Sequence, residues 1–461
     1  MLIRNAEIHF SEIVDVRIED GFVVEIGTAL RNGGDVIDAG GNALLPGLHD
    51  HHLHFLAYAA GRDSVRCGPP HVADAGDLAR TLRDKATEKS GVDSSWIRGI
   101  GYHESVAGDI DRQWLDRAVA AVPVRIQHRS GRLWILNSRA LQLLGDLADA
   151  PLEKVGGEFT GRLFDADAWL RSRIGRQLPD VRAASRQLAR YGITAFTDTT
   201  PGNDPEVFEL FGNLQRNSTL LQSVVLMGAA RLRECAAQAR LRVGATKVHM
   251  HDSELPAFDA LCATIRRSHG DLRPVAIHCV TLTELVFALN AFRDAGSLDG
   301  DRIEHAAVAP PDIVEQIAQL GLTVVTQPNF IAERGDAYLR DVDPADRPWL
   351  YRLRGFVDAG IRLAAGTDTP FGGADPWAAM QAAVMRRTQA GAIIGAAEAL
   401  SPEAALELFL GDPLRPGTGV NRIEVGQRAD LCLLDRRWSA ARRDLAAVAV
   451  RTTFCNGAPV A

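Results

Sequence analysis

Eight apolar stretches of strand length recur along the middle of this chain, and amphipathic stretches of helical length separate most of them. The strand candidates are residues 43–55, 192–198, 219–228, 245–251, 274–280, 301–307, 322–328 and 361–368. Helical candidates include 254–268, 281–295, 311–320 and 347–359. Alternation of this kind argues for parallel β/α architecture. Eight units predict an α/β fold of the closed (β/α)8 TIM-barrel type, whose chemistry sits at the C-terminal strand ends.

The two ends of the chain read differently. Residues 2–10 and 13–27 look like short strands with a turn at Glu19-Asp20-Gly21. Residues 429–436 and 446–454 repeat the pattern, with a turn at Asn456-Gly457. Two β-rich termini predict a small composite β-sandwich domain of residues 1–45 plus 415–461, around a barrel of residues 46–414. The segment at about 60–165 exceeds a normal βα connection and is expected to be an insertion that covers the barrel mouth.

Composition narrows the partners. The chain has 461 residues and a net charge of -7, which gives no basic footprint for nucleic acid. No apolar run approaches the ~20 residues of a membrane span, and the first residues do not read as a signal peptide. The six cysteines are scattered without CxxC spacing, so reduced thiols and a cytoplasmic location are expected. A small-molecule substrate fits this picture, and a homodimer is compatible with it.

The stretch from Pro46 to His54 ends the first strand candidate. Side chains alternate along a strand, so Asp50, His52 and His54 share one face. His49 and His51 fall on the other, towards the surrounding helices. Two imidazoles on one face can hold one metal ion, with Asp50 orienting the site. Further candidates stand on later strands: Lys247 on the fourth, His278 on the fifth, His305 on the sixth and Asp368 on the eighth. A lone strand-end histidine is most often a hydrogen-bonded core residue; this ordered set is another matter.

Each residue type has a chemical reason. Neutral imidazoles bind borderline metals such as zinc. Two metal ions held close together need a bridging anion, which the carbamate of a lysine supplies and arginine cannot. Lys and Arg together number 51, yet only Lys85, Lys89, Lys154 and Lys247 are lysines. A lysine on a barrel strand of such a chain is unlike a generic cation, although a snorkelling ion pair is its plain reading. Asp368, within Gly366-Thr367-Asp368-Thr369-Pro370, can touch a metal and take a proton from water. A turn role is its plain alternative.

With these residues in place, the chain resembles the amidohydrolase superfamily, and within it the amidohydrolase-3 branch that includes N-substituted formamide deformylases. Trp96-Ile97-Arg98-Gly99, Leu133-Trp134-Ile135-Leu136-Asn137-Ser138, Thr160-Gly161-Arg162-Leu163, Asp375-Pro376-Trp377 and Gly426-Gln427-Arg428-Ala429-Asp430-Leu431 extend the likeness over nearly all the chain. The resemblance implies His52, His54, Lys247, His278, His305 and Asp368 as metal-site residues. The implied cofactor is one or two zinc or other divalent transition-metal ions, with Lys247 N6-carboxylated. It also implies metal-assisted hydrolysis of an amide, formamide or cyclic amide, with Asp368 as base and His278 as a further catalytic group. His103, Arg162, Arg132 and His249 are candidate substrate contacts.

The chain also departs from that pattern. His249, Met250, His251 and Asp252 stand where an Asp-Gly pair commonly follows the lysine, and by alternation Lys247, His249 and His251 share a face. Arg132 stands where relatives commonly carry a histidine; a surface arginine is its plain reading. Cys67 can be a ligand but reads more simply as a buried thiol. Three other readings compete: a deaminase on the same scaffold, a lactone or ester hydrolase, and a non-catalytic barrel. A deaminase calls for an acid just after the fifth-strand histidine. In this chain Cys279-Val280-Thr281 follow, with Glu284 further on.

Overall fold

Parallel strands covered on both faces need apolar side chains on both, and the central strands have them. The computed structural model of the protein describes residues 1–31, 33–69, 71–89, 96–174 and 178–460. Its barrel strands are β1 (Leu48–Leu53), β2 (Ile193–Asp198), β3 (Ser223–Gly228) and β4 (Leu241–Val248). They continue with β5 (Val275–Cys279), β6 (Arg302–His305), β7 (Thr323–Thr326) and β8 (Leu363–Ala365). All eight pair in chain order in one parallel sheet.

The first and last strands meet just beyond the end of β8. There the Asp368 N–H donates to the His52 carbonyl at 2.8 Å, and the His54 N–H donates to the Thr369 carbonyl at 2.9 Å. Gly366 permits this seam, because a Cβ at that position would lie 2.4 Å from the His52 nitrogen. The seam thus joins the two stretches that carry His52, His54 and Asp368.

Two elements differ from their sequence reading. β4 runs from Leu241 and stops at Val248, so His249 and His251 lie past the strand and its alternation does not govern them. The expected helix over 347–359 is reduced to a 3-10 turn at Arg347–Trp349 and a short helix at Arg354–Asp358. Pro348 falls in the first turn of the 3-10 segment, a position that tolerates proline. The longer helix of that region is Asn329–Asp341, which follows β7 directly. Elsewhere local signals held: Leu282–Ala295 starts at a capping box of Thr281 and Glu284.

The chain ends build two further sheets. One contains Leu2–Ile8, Glu12–Glu19, Phe22–Gly27 and Val36–Asp38; the other contains Leu44–Pro46, Leu431–Leu434, Val450–Cys455 and Ala458–Pro459. Ile3, Val16, Leu44, Leu431, Leu433 and Phe454 share one apolar core, so the two ends depend on each other for burial. These strands and the barrel form one compact unit, Met1–Phe55 with Arg182–Ala461. Leu56–Val181 form a second, with a six-stranded sheet and its own core around Leu78, Ile97, Leu115 and Ile126. Cys67 is buried in that core, and burial pushes its thiol up to about 12. Among the described residues no helix is long and apolar enough to cross a membrane.

The outward face of β1 carries a buried histidine with consequences for stability. His49 Nε2 lies 2.9 Å from the Thr197 hydroxyl. Burial, reinforced by Arg302, pushes the imidazole from 6.5 down to about 3. Between those two values the unfolded chain takes up a proton that the folded chain refuses. Stability therefore falls as pH drops from 6.5 towards 3, by up to about 1.4 kcal/mol per pH unit for this one group. Urea midpoints measured from pH 7 to 4.5 are expected to fall less steeply in His49→Leu than in the unaltered protein; equal slopes would remove His49 from the account.

Candidate metal centre

The inner end of β1 presents two imidazoles whose outer nitrogens are already held. His52 Nδ1 bonds the Glu304 carboxylate, and His54 Nδ1 lies 3.0 Å from the Thr200 hydroxyl. The remaining nitrogens converge. His52 Nε2 is 3.5 Å and His54 Nε2 is 3.4 Å from Asp368 Oδ1. Glu304 favours the His52 tautomer that leaves Nε2 with a lone pair. Asp368 Oδ1 is buried and makes no hydrogen bond. Lone pairs gathered in a buried space repel one another unless a cation lies between them. These three residues therefore fit a divalent metal ion, with the other imidazole nitrogens braced as metal-ligating histidines usually are.

The other candidates extend the same site. His305, at the end of β6, is held through Nδ1 by Gln327 at 2.6 Å, and its ring lies 4.8 Å from that of His52. His278, on β5, stands edge-on to His305 with ring centroids 4.5 Å apart. His249 continues the row, 4.3 Å from His278 and 4.6 Å from His251. Lys247 is buried; its Nζ has no hydrogen bond, and its nearest counter-charge is Glu304 Oε1 at 3.9 Å. His305 and Asp368 have φ of 70° and 56°, in the left-handed region that ordinary side chains avoid. Such strain at strand ends is held in place by the surrounding structure and collects at functional sites.

Burial disfavours the charged form of four imidazoles at this site, His52, His249, His278 and His305, and ligation requires the neutral form. Burial lowers His52 against the opposing pull of Glu304. Burial and the neighbouring His52 push His305 down to about 3. Burial, then His305 and His249, lowers His278, and burial with His251 lowers His249 to about 4. Burial alone would raise the Asp368 carboxyl, but His54, His52 and His305 hold it below the usual carboxylate range. Burial draws the Lys247 ammonium down to about 8 in spite of Glu304.

Asp50 acts on this centre through the backbone. Its Oδ1 accepts the His52 and Thr367 N–H groups at 3.1 Å each, and its Oδ2 accepts the Thr367 hydroxyl at 2.6 Å. One carboxyl thereby ties β1 to the segment that carries Asp368. Burial pushes Asp50 up to about 7, although the Thr367 hydroxyl pulls the other way.

Sequence reasoning missed Glu304, Gln327, Thr200 and Thr367. Glu304 is the most connected of them: fully buried, it meets His52, Arg302 and Lys247. The signal was an acid beside a strand-end histidine, Glu304-His305. Glu304→Gln keeps the shape and removes the charge facing Arg302. We expect a loss of about 3–5 kcal/mol in urea unfolding, because a buried guanidinium loses its counter-charge. We also expect roughly 10–100-fold weaker metal binding by titration. An unchanged affinity would show that the brace on His52 is dispensable.

Three of the candidate substrate contacts belong to the second unit and have partners there. Arg132 holds Asp165 with both arms of its fork, at 2.8 and 2.6 Å, so the surface-arginine reading describes it. Arg162 lies 3.4 Å from Asp109 and 3.7 Å from Glu153. His103 caps the short helix Glu104–Ala107, accepting the Ser105 N–H at 3.2 Å.

A parallel eight-stranded barrel with strand-end imidazoles and an eighth-strand aspartate converging on one buried point defines a metal-dependent hydrolase. Comparison with known families agrees: the model of the amidohydrolase family matches residues 35–461. The chain belongs to the amidohydrolase family and is an enzyme that hydrolyses carbon–nitrogen bonds. It is 25% identical to an N-substituted formamide deformylase of Arthrobacter pascens, over 95% of this chain and 92% of that protein. It is 22% identical to the putative amidohydrolase YtcJ of Bacillus subtilis strain 168, over 81% of this chain and 79% of that one. Among solved structures, an uncharacterized metal-dependent hydrolase from Pyrococcus furiosus superposes with a TM-score of 0.72 at 22% identity. That match covers 93% of this chain and 97% of the other, and it concerns the fold.

Proposed function

We propose that the protein hydrolyses small N-substituted formamides or related amides, with Asp368 as the proton-transfer group and zinc as the cofactor. The observation that carries this reading is the convergence of His52 Nε2, His54 Nε2 and the unpartnered Asp368 Oδ1. When bound there, a divalent ion supplies a polarised scissile carbonyl and a water whose pKa falls to roughly 7. Asp368 takes the proton of the attacking water and delivers it to the leaving nitrogen. Glu304, Thr200 and Gln327 bond the Nδ1 atoms of His52, His54 and His305 and so fix how these rings are turned. His278, between His249 and His305, is the imidazole we assign to donate to the oxyanion of the tetrahedral intermediate. Lys247, buried and drawn towards its neutral form, would carry an N6-carboxylate and so supply an anionic group to the metal site. The formamide assignment rests on the Arthrobacter relative.

The deaminase reading loses its acid. Glu284 accepts the Val280 and Thr281 N–H groups at 2.7 and 3.1 Å and the Asp252 N–H at 3.0 Å, so it serves as a helix cap. All six cysteines are free thiols, which supports a reducing compartment such as the cytoplasm.

A hydrolysis screen over formamides, amides and cyclic amides, with ammonia measured in parallel, tests the proposal. Zinc-loaded protein is expected to release formate and an amine from N-substituted formamides. Stoichiometric ammonia from an aminated ring would favour deamination instead. Protein that purifies without any transition metal, and turns over nothing when zinc is supplied, would refute metal-assisted hydrolysis.

A further inference from the structure

A cavity lies at the opposite ends of the strands from the candidate metal centre. It has a volume of about 330 Å³ and is bordered by Pro46 and Gly47, before β1, and by the starts of β2, β3 and β4. Val23, Ile423 and Leu431, from strands and loops of the chain ends, close its other side. A pocket of this size holds a small organic molecule.

Its charges are unbalanced. Arg240, Arg242, Arg422 and Arg428 line it, against Asp412 and Asp430. Both acids are engaged. Asp412 accepts the Leu414 and Arg415 N–H groups at 2.8 and 3.0 Å. Asp430 accepts the Asn456 N–H at 2.6 Å and lies 3.4 Å from Arg428 Nε. Arg242 and Arg422 make no side-chain hydrogen bond or ion pair among the described residues.

Two buried nitrogens at this cavity, Arg240 Nε and His49 Nδ1, also lack partners. Arg240 directs one terminal nitrogen to the carbonyls of Leu220 and Gln222, at 3.1 and 3.4 Å, while its buried Nε has no hydrogen bond. His49 is only 2% exposed, and its Nδ1 has no partner although Nε2 meets Thr197. Nδ1 carries the hydrogen in the tautomer whose Nε2 accepts from the Thr197 hydroxyl. Buried donors left unmet are costly, and guanidinium groups match carboxylate and phosphate oxygens in geometry as well as charge.

We infer that this cavity is a binding site for a small organic oxyanion, a phosphate- or carboxylate-bearing molecule with an apolar body. Arg242 and Arg422 hold the acidic group, and Val23, Ile423 and Leu431 contact the body. The site is separate from the metal centre, which lies at the other end of the same β1 strand.

Calorimetric titration of the zinc-loaded protein with phenyl phosphate, and separately with benzoate, tests this. One or both probes are expected to bind at one site per chain, and the tighter one identifies the acid. Arg242→Ala with Arg422→Ala is expected to weaken that binding at least tenfold while formamide turnover stays unchanged. His52→Ala, at the metal centre, is expected to leave it intact. Binding of neither probe, binding untouched by the two arginine changes, or binding lost in His52→Ala would each overturn the inference. The last result would move the anion to the metal centre.

Discussion

Asp368→Asn leaves a folded barrel whose turnover falls by roughly 10²–10⁴-fold, the contribution of a positioned general base. The fold survives because the backbone N–H of residue 368, not its side chain, bonds the His52 carbonyl at 2.8 Å. The Asp50 links to Thr367 are likewise untouched. The amide keeps an oxygen near His52 and His54 but cannot accept the water proton at neutral pH. Circular dichroism and metal content should therefore stay near normal while kcat collapses. Turnover equal to that of the unaltered protein would remove Asp368 from proton transfer. A collapse accompanied by complete metal loss would make it a ligand first and a base second.

Lys247→Arg is the other large effect. Arginine keeps a positive charge near Glu304 but cannot carry a carbamate, so the variant separates the two roles open to this lysine. If Lys247 bridges two ions, metal content falls from two per chain to one or none, and activity drops by about 10³-fold or more, in the range lost when a major electrostatic group is removed. If Lys247 is only the cation beside Glu304, 3.9 Å away, both quantities persist. A parallel measurement needs no substitution: metal-free protein reconstituted in carbon dioxide-free buffer should regain less zinc and activity than protein reconstituted with bicarbonate. Equal recovery in the two buffers would refute the bridge.

The barrel was legible in the sequence because parallel strands buried on both faces read as uninterrupted apolar runs. Even β8, three residues long at Leu363–Ala365, could be placed by the polar stretch that follows it. The helix Asn329–Asp341 was not legible, since Phe330 and Ile331 are almost its only large buried apolar side chains. The candidate metal-site residues stood out because histidine, lysine and aspartate fell on five of the eight barrel strands. Glu304 was hidden by the alternation rule itself, which places neighbours on opposite faces. The φ of 70° at His305 breaks that rule, so Glu304 and His305 both bear on His52. The same limit applies at His249, where β4 has already ended and a period of two has no meaning.

The seam between β1 and the chain after β8 ties assembly of the candidate centre to the synthesis of residues 366–369. His52 and His54 emerge early from the ribosome, but the Asp368 oxygen and the backbone groups that pin both histidines emerge more than three hundred residues later. A nascent chain that lacks the Gly366-Thr367-Asp368 segment has an open barrel and only part of the candidate metal site. An ion held between these two edges would have to wait for residues 366–369 and would act as a clasp that resists their parting.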